Sequence, residues 1–319
     1  MSKKRTIDSF FNSSTKKQRK AEDDLDEPAA SSTHVVYPFP ILELPAKIAT
    51  EIASLPAKPG RVINDQLDLD LLYFEPYIAS PVDKDLFNFL RAKLPFYRVE
   101  YNIKRGPTET HIRTPRFTTV FGLDETSRFE EDGSIVDAKT HVRVPGTAYA
   151  RYAPRPMPKC LDDLRRSTEA ATGCHFNFCL VNYYSSGSDS ISYHSDDERF
   201  LGPEPAIASF SLGAKRDFFM KHKPILPTKE RPVPPEVNQL KLSLASGDMI
   251  LMRGKTQSCW LHSIPKRTGR NEKDGGRINI TFRRAVVKGG TDNYYNYNVG
   301  TGPVYKWDDN AREMKIWNQ

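Results

Sequence analysis

The chain has no run of about 18 uninterrupted apolar residues, so no membrane-spanning helix is expected. Charge at the N-terminus is not followed by an apolar stretch, so no secretory signal is expected either. The four cysteines, Cys160, Cys174, Cys179 and Cys259, are scattered and include no Cys-x-x-Cys pair. They read as free, buried thiols in a reducing compartment. No internal repeat is visible. After residue 176 no helix-sized segment alternates with the strand-like runs, which excludes a parallel α/β sheet.

What is present is enough apolar material for a core. The 319 residues are 38% hydrophobic and 11% aromatic, sufficient for one large domain or two modest ones. The net charge of +7 is unevenly placed. Residues 1–20 carry a net +6 and residues 21–27 a net −5, which leaves the remainder about +6. A mildly basic body suits a nucleic-acid partner, although solubility alone also accounts for it.

Residues 1–34 read as a disordered tail rich in Ser, Lys and Asp, with the acidic run Glu22–Glu27 ending at Pro28. Structure is expected to begin near Tyr37–Leu44. Ser80-Pro81 reads as an N-cap and first-turn proline, with Leu86, Phe89 and Leu90 on one helical face. A second helix is expected over 161–172, stopped by Gly173. From there the pattern turns to strands: Phe176–Tyr184, Ala206–Leu212, Arg216–Lys221, Leu240–Leu244, Met249–Met252 and Arg277–Arg284. Turns at Ser185–Ser188, Gly213, Ser246-Gly247 and Gly275-Gly276 separate them, and a proline-rich loop, Pro224–Pro235, interrupts the series. Many short strands in succession predict a barrel or jelly roll with flanking helices, an α+β chain.

His194-Ser195-Asp196 is a pair that can supply two ligands to one metal, since alternate residues of an extended segment point the same way. Among seven histidines and 40 acids such a pair is nearly expected by chance. His262 is the candidate third ligand, and is equally read as a buried histidine near Trp260. Two histidines and one carboxylate with open positions are the ligand set of non-haem Fe(II) oxygenases. Alternation in Arg277–Arg283 puts Arg277, Asn279, Thr281 and Arg283 on one face and Ile278, Ile280 and Phe282 on the other. The plain reading is an amphipathic strand with a wet face. Both charges on that face are arginines, however, and Arg suits bidentate carboxylate recognition; a dicarboxylate would use two. Asn182 and Tyr184 share a face of the strand ahead of His194 and offer an amide and a phenol to the same ligand.

The order Asn182-x-Tyr184, His194-x-Asp196-Asp197, His262, Arg277-x-Asn279-x-Thr281-x-Arg283 resembles the AlkB family of oxidative DNA and RNA demethylases, in particular its eukaryotic nuclear DNA-repair branch. The similarity spans roughly residues 95–285. It implies a double-stranded β-helix (jelly roll), Fe(II), 2-oxoglutarate and O2. By position it implies His194, Asp196 and His262 on iron, and Asn182, Tyr184, Arg277, Asn279, Thr281 and Arg283 on 2-oxoglutarate. Asp197 resembles the acid that meets the exocyclic nitrogen of a flipped base; Glu198, Tyr149, Arg151 and Arg116 would also contact substrate. The implied reaction hydroxylates the N-methyl carbon of 1-methyladenine or 3-methylcytosine and releases formaldehyde, succinate and CO2. The base must first leave the stack, at a cost of a few kcal/mol. Pro115-Arg116 and Thr119–Gly122 resemble the strand of a nucleotide-recognition lid. The expected organisation is a tail (1–34), N-terminal helices and lid (35–175), a catalytic β-helix (176–285) and a C-terminal extension (286–319).

The tail reads as an address. Lys4-Arg5 and Lys16-Lys17-Gln18-Arg19-Lys20 have the spacing of a bipartite nuclear localisation signal. Between them Ile7, Phe10 and Phe11 resemble the box that docks on the PCNA sliding clamp, with Lys4 where Gln is usual. A monomer acting on alkylated DNA, or on RNA, in the nucleus is expected. The rival is a non-catalytic, clamp-associated nucleic-acid-binding protein.

Overall fold

The apolar runs of the second half fold as eight antiparallel strands in two sheets that share a core. In the computed structural model, which describes residues 30–149, 151–227, 233, 235–267 and 276–318, these are β1 (Phe178–Tyr184), β2 (Ile191–His194), β3 (Ile207–Gly213), β4 (Arg216–His222), β5 (Leu240–Leu244), β6 (Met249–Met252), β7 (Trp260–Ile264) and β8 (Arg277–Arg283). In the large sheet β1, β8, β3 and β6 are neighbours in that order; β2, β7, β4 and β5 make the small sheet. Every pairing among them is antiparallel. These two interleaved orders are those of a jelly roll. The expected strands are present, Leu240–Leu244 and Met249–Met252 with the expected ends and the others shifted by at most two residues, and β2 and β7 are additional to them.

Alternation explains why the large sheet is buried on both faces. On β1, Cys179, Val181 and Tyr183 pack toward the helices, while Phe178, Leu180 and Tyr184 pack toward the small sheet. On β8, Ile278, Ile280 and Phe282 join the helix-side core. Its arginine-bearing face is buried too, so it is an inner face rather than a wet one. Gly276 begins this strand with φ +85°, and a Cβ there would stand 2.7 Å from the Tyr184 carbonyl oxygen, so the strand enters the sheet through a position only glycine fits.

Helices α1 (Ala46–Ala53), α2 (Val82–Lys93) and α3 (Lys159–Thr172) cover the outer face with Ile48, Ile52, Leu86, Leu90, Leu161 and Leu164. The second of these differs from expectation at its start. Pro81 itself takes the N-cap position and no side chain caps the helix. Asp83 and Asp85 in the first turn and Arg91 and Lys93 in the last still complement its dipole. α3 ends as expected, at Gly173 in the left-handed conformation.

Three further differences bear on the site. Thr119–Gly122, expected with Pro115-Arg116 as part of a lid strand, belongs to a strand Phe117–Gly122 that is buried along its whole length in the large sheet, between Phe96–Tyr97 and β1. Its apolar residues Val120 and Phe121 are wholly buried. A separate hairpin, Glu100–Arg105 with Thr108–Arg113, precedes it and is mostly exposed. The extension after residue 286 returns to the body: α4 (Asp292–Asn298) is followed by Val304–Asp308, which pairs with Phe96–Tyr97. At the other end of the chain Ser31–Ser32 pairs with Ile41–Leu42, so the fold begins before Tyr37. Ile7, Phe10, Phe11 and both basic clusters lie outside the described residues, as do parts of the proline-rich loop and Gly275.

Candidate metal centre

β2 and β7 pair so that His194 faces His262 directly across the ladder, and the two imidazole centroids are 4.2 Å apart. Asp196 follows two residues past the end of β2. Its backbone N–H donates to Gln257 Oε1 at 3.0 Å, which fixes where the chain turns. His194 Nε2 and Asp196 Oδ1 are 4.0 Å apart, and one donor atom from each of the three residues lies within 4.8 Å of the others. The His-x-Asp pair and the distant His262 are thus brought together, and the means is cross-strand register rather than spacing alone.

The donors are in the forms a metal needs. His194 Nδ1 donates to the Ser192 carbonyl at 2.8 Å, which leaves Nε2 with its lone pair toward Asp196. His262 is 7% exposed and stacks on Phe218. Burial, with the charge of Arg283 behind it, pulls it down to about 3, so it is a neutral imidazole at physiological pH. Burial opposes ionisation of Asp196, but the Arg283 guanidinium outweighs it and holds the carboxyl well below the usual carboxylate range. Arg283 Nη2 donates to Asp196 Oδ2 at 2.7 Å, so the carboxylate gives one oxygen to the arginine and turns the other toward the histidines.

The inner face of β8 makes the rest of the site. Register sets Tyr184 opposite Arg277 and Asn182 opposite Asn279, with Ser211 across from Asn279 on the other side. Asn279 is held by Ser209 Oγ and the Phe210 carbonyl, and Thr281 donates to the Leu180 carbonyl. Arg277 is different. One nitrogen donates to Ser211 Oγ at 2.8 Å, while Nε and Nη1 are buried without a hydrogen-bond partner. Burial pulls its guanidinium down to about 10, still charged at neutral pH. The Tyr184 ring lies 5.3 Å from it. Arg116 reaches in from the segment before Phe117 and donates to Asn182 Oδ1 at 2.8 Å.

These groups line one cavity of about 1140 Å³. It contains His194, Asp196, His262, Asn182, Tyr184, Arg277, Asn279, Thr281 and Arg283, and of the expected substrate contacts Arg116 and Glu198. The other three are elsewhere. Asp197 turns away from the lining and pairs with Lys223 at 2.7 Å. Tyr149 lies over Ser127, and Arg151 stacks beside Tyr152, whose hydroxyl donates to Asn296. The sequence reading missed Gln257 and the contribution of α4, which lends Asn293, Tyr294, Tyr297 and Asn298 to the lining. Tyr294 donates to Glu198 Oε1 at 3.0 Å, and the other oxygen of Glu198 is buried without a partner. Burial, and then the charge of Asp196, push the Glu198 carboxyl above its ordinary value. An N,N,O donor set beside unpartnered guanidinium nitrogens fits a divalent cation with an anionic co-substrate.

Comparison with known proteins agrees with this geometry. Residues 70–283 match the 2OG-Fe(II) oxygenase superfamily. The chain is 31% identical over 258 residues to the DNA oxidative demethylase ALKBH2 of Arabidopsis thaliana, covering 76% of this chain and 75% of that protein. It is 37% identical to human DNA oxidative demethylase ALKBH2 and 40% identical to the rat alpha-ketoglutarate-dependent dioxygenase alkB homolog 3. Those two matches each cover 42% of this chain, and 49% and 45% of the relatives. The chain therefore belongs to the 2OG-Fe(II) oxygenase superfamily, in its AlkB family of Fe(II)- and 2-oxoglutarate-dependent dioxygenases.

Proposed function

We propose that this dioxygenase reverses alkylation damage by demethylating 1-methyladenine and 3-methylcytosine in DNA. The observation that carries the proposal is a single cavity holding three kinds of group: an N,N,O triad, guanidinium nitrogens of Arg277 and Arg283 with no partner, and an aromatic-acidic set from α4 and Glu198. The relatives named as DNA demethylases support the choice of substrate.

His194 Nε2, Asp196 Oδ1 and the His262 imidazole would hold Fe(II). Bound together, Fe(II), 2-oxoglutarate and O2 supply an oxidant that hydroxylates the N-methyl carbon, giving succinate and CO2, and the product sheds formaldehyde. Arg277 would take a carboxylate of 2-oxoglutarate through its two free N–H groups, with Tyr184 and Asn182 beside it. Asn279 and Thr281 would shape that pocket by holding β8 against β1 and β3. Glu198, raised by burial, and Tyr294 would meet the extruded base, with Tyr297 as a stacking surface. Asp197 would reach the base only after leaving Lys223. Tyr149 and Arg151, outside the cavity, would contact flanking backbone. The apolar part of the lining, with Leu180, Phe218 and Ile264, would limit water at a reactive centre.

Incubation with Fe(II), 2-oxoglutarate and an oligonucleotide carrying 3-methylcytosine should lower the oligonucleotide mass by one methyl, and His194→Ala should abolish the change. An unchanged mass, or full activity of the variant, removes the proposal and favours the non-catalytic binding protein. Single-stranded DNA, duplex DNA and RNA compared side by side assign the substrate form. For the tail, the proposal carries a nuclear setting and a sliding-clamp partner. Phe10→Ala with Phe11→Ala should abolish clamp pull-down, and undiminished pull-down sinks that part.

A further inference from the structure

Asp68, His222 and Cys259 do not line the cavity, yet they form a second group among the described residues whose metal-ligating atoms all lie within 4.8 Å of one another. Three separate parts of the chain bring them there. Asp68 sits in the loop before Leu71–Phe74, His222 ends β4, and Cys259 ends a helical turn at Thr256–Cys259. Register places His222 opposite Trp260, next to Cys259. The Lys223 N–H donates to the Cys259 carbonyl at 2.7 Å, and Trp260 Nε1 donates to the Leu67 carbonyl at 3.0 Å. The three side chains are therefore held together by a framework that does not depend on their own contacts.

The hydrogen bonding of His222 points to a cation. Its ring is 90% buried, and Nδ1 lies 2.6 Å from the Lys223 carbonyl, which only an N–H can approach so closely. That places a proton on Nδ1 and turns Nε2, which is buried and makes no hydrogen bond, toward the Asp68 carboxylate. Facing a carboxylate, that nitrogen needs a positive charge between the two, either a second ring proton or a metal cation. A tetrahedral zinc centre, with bonds of about 2.0–2.1 Å to nitrogen and oxygen, separates two such donors by about 3.4 Å. His222 Nε2 and Asp68 Oδ2 are 3.5 Å apart. Lys255 Nζ occupies the other side of the carboxylate, 3.6 Å from Oδ1, and leaves Oδ2 to the site.

We propose that Asp68, His222 and Cys259 bind a zinc-class divalent cation, with water in the fourth position, at a site distinct from the His194–Asp196–His262 centre. Imidazole, carboxylate and thiolate together select zinc over magnesium or calcium. A metal there clamps the loop of Asp68 onto the helical turn that carries Gln257, the residue that holds the backbone of Asp196.

Cobalt(II) separates the two sites, because only the second contains sulfur. The full-length chain, stripped with chelator and titrated with Co(II) without oxygen, should develop a sulfur-to-cobalt charge-transfer band in the near ultraviolet. Cys259→Ser should remove the band and His222→Ala should remove or greatly weaken it. His194→Ala, which disables only the nitrogen-oxygen centre, and Cys174→Ser should leave it intact. A wild-type chain without the band overturns the site and leaves His222 as an imidazolium paired with Asp68. A band that survives Cys259→Ser or His222→Ala overturns it as well. The wild-type measurement does not depend on any variant folding.

Discussion

Arg277 and Arg283 stand six residues apart on one face of one strand, both wholly buried, and the structure gives them opposite situations. Arg283 is the better satisfied: two of its nitrogens donate to Asp196 and Thr281, and only Nε is left without a partner. Burial works against its charge, but Asp196 outweighs that and raises its pKa. Arg277 is short of partners: it donates once, to Ser211, and two of its nitrogens have no acceptor. Burial has no nearby carboxylate to offset it there, and its pKa falls. A buried cation without its anion is costly. The Arg277 end is therefore built for a ligand that arrives, and the Arg283 end for a ligand residue that stays. Residue type and strand face are the same at the two ends; the difference comes from what lies across the ladder.

The contrast predicts different kinds of damage. Arg283→Met leaves the Asp196 carboxylate buried without its counter-charge and should destabilise the chain by about 3–5 kcal/mol, measured by urea unfolding without metal. Adding Asp196→Asn should recover part of that loss. Arg277→Met should change stability by less than about 1 kcal/mol, because a single neutral-acceptor bond is lost and an unpaired charge goes with it. Its effect should fall on the co-substrate, weakening 2-oxoglutarate binding about 10- to 100-fold, as expected for loss of a charge-assisted contact. If both variants unfold equally easily, or if Arg277→Met binds 2-oxoglutarate normally, the two ends are not different in kind.

Acid separates the ends further. Unfolded His262 takes a proton near 6.5, whereas the folded residue resists until about 3, so the unfolded state binds more protons in between. Stability of the metal-free chain should fall as pH drops below 6.5, by roughly 2 kcal/mol by pH 5. Asp196 behaves oppositely. Its folded pKa is depressed, so its contribution is present above the ordinary carboxylate value of 3.8 and is lost only as pH falls below it. The loss from pH 6.5 down to about 4 therefore belongs to the histidine, whose limb runs on to about 3, and the Arg283–Asp196 pair adds its own loss below about 4. His262→Gln should flatten the loss above pH 4 and lessen it below, leaving the Asp196 contribution there, which Arg283→Met should remove. Equal flattening of both limbs by either variant would join what the structure separates.

Much of this was legible because alternation is local. The strands β1, β3, β4, β5, β6 and β8 announce themselves by apolar runs, and the polar face of Arg277–Arg283 is read directly from every second residue. The two strands that carry the histidines were not read as strands. β2 is only Ile191–His194, half-exposed, with a register irregularity between Ile191 and His194. β7, Trp260–Ile264, follows a helical turn directly and mixes Trp, His and Ser with aliphatic residues. Their pairing is a long-range fact that no window of sequence contains. The same limit hid α4, whose tyrosines and asparagines look like an ordinary polar tail until the fold returns them to the cavity. Thr119–Gly122, expected in the lid by resemblance alone, lies instead in a central strand of the large sheet, a placement set by long-range pairing. Asp197 is expected at the base by family resemblance, but adjacent residues of an extended chain point to opposite sides, and Lys223 pairs with it.

The smallest expected effect tests whether the Arg283 end is held from one side or two. Asp196 has its carboxylate on Arg283 and its N–H on the amide oxygen of Gln257, which is wholly buried. Gln257→Ala removes only the second support, and water can reach an N–H exposed by so large a truncation, so the stability cost should be about 1 kcal/mol. Metal affinity should fall about tenfold, the lower end for a residue that orients a ligand without touching the metal. Gln257→Glu keeps an oxygen for the N–H while adding a negative charge near Asp196, so it should restore the backbone contact without restoring full affinity. If Gln257→Ala binds Fe(II) as tightly as the parent chain, Arg283 alone positions Asp196, and the difference between the two arginines is larger than their hydrogen bonds suggest.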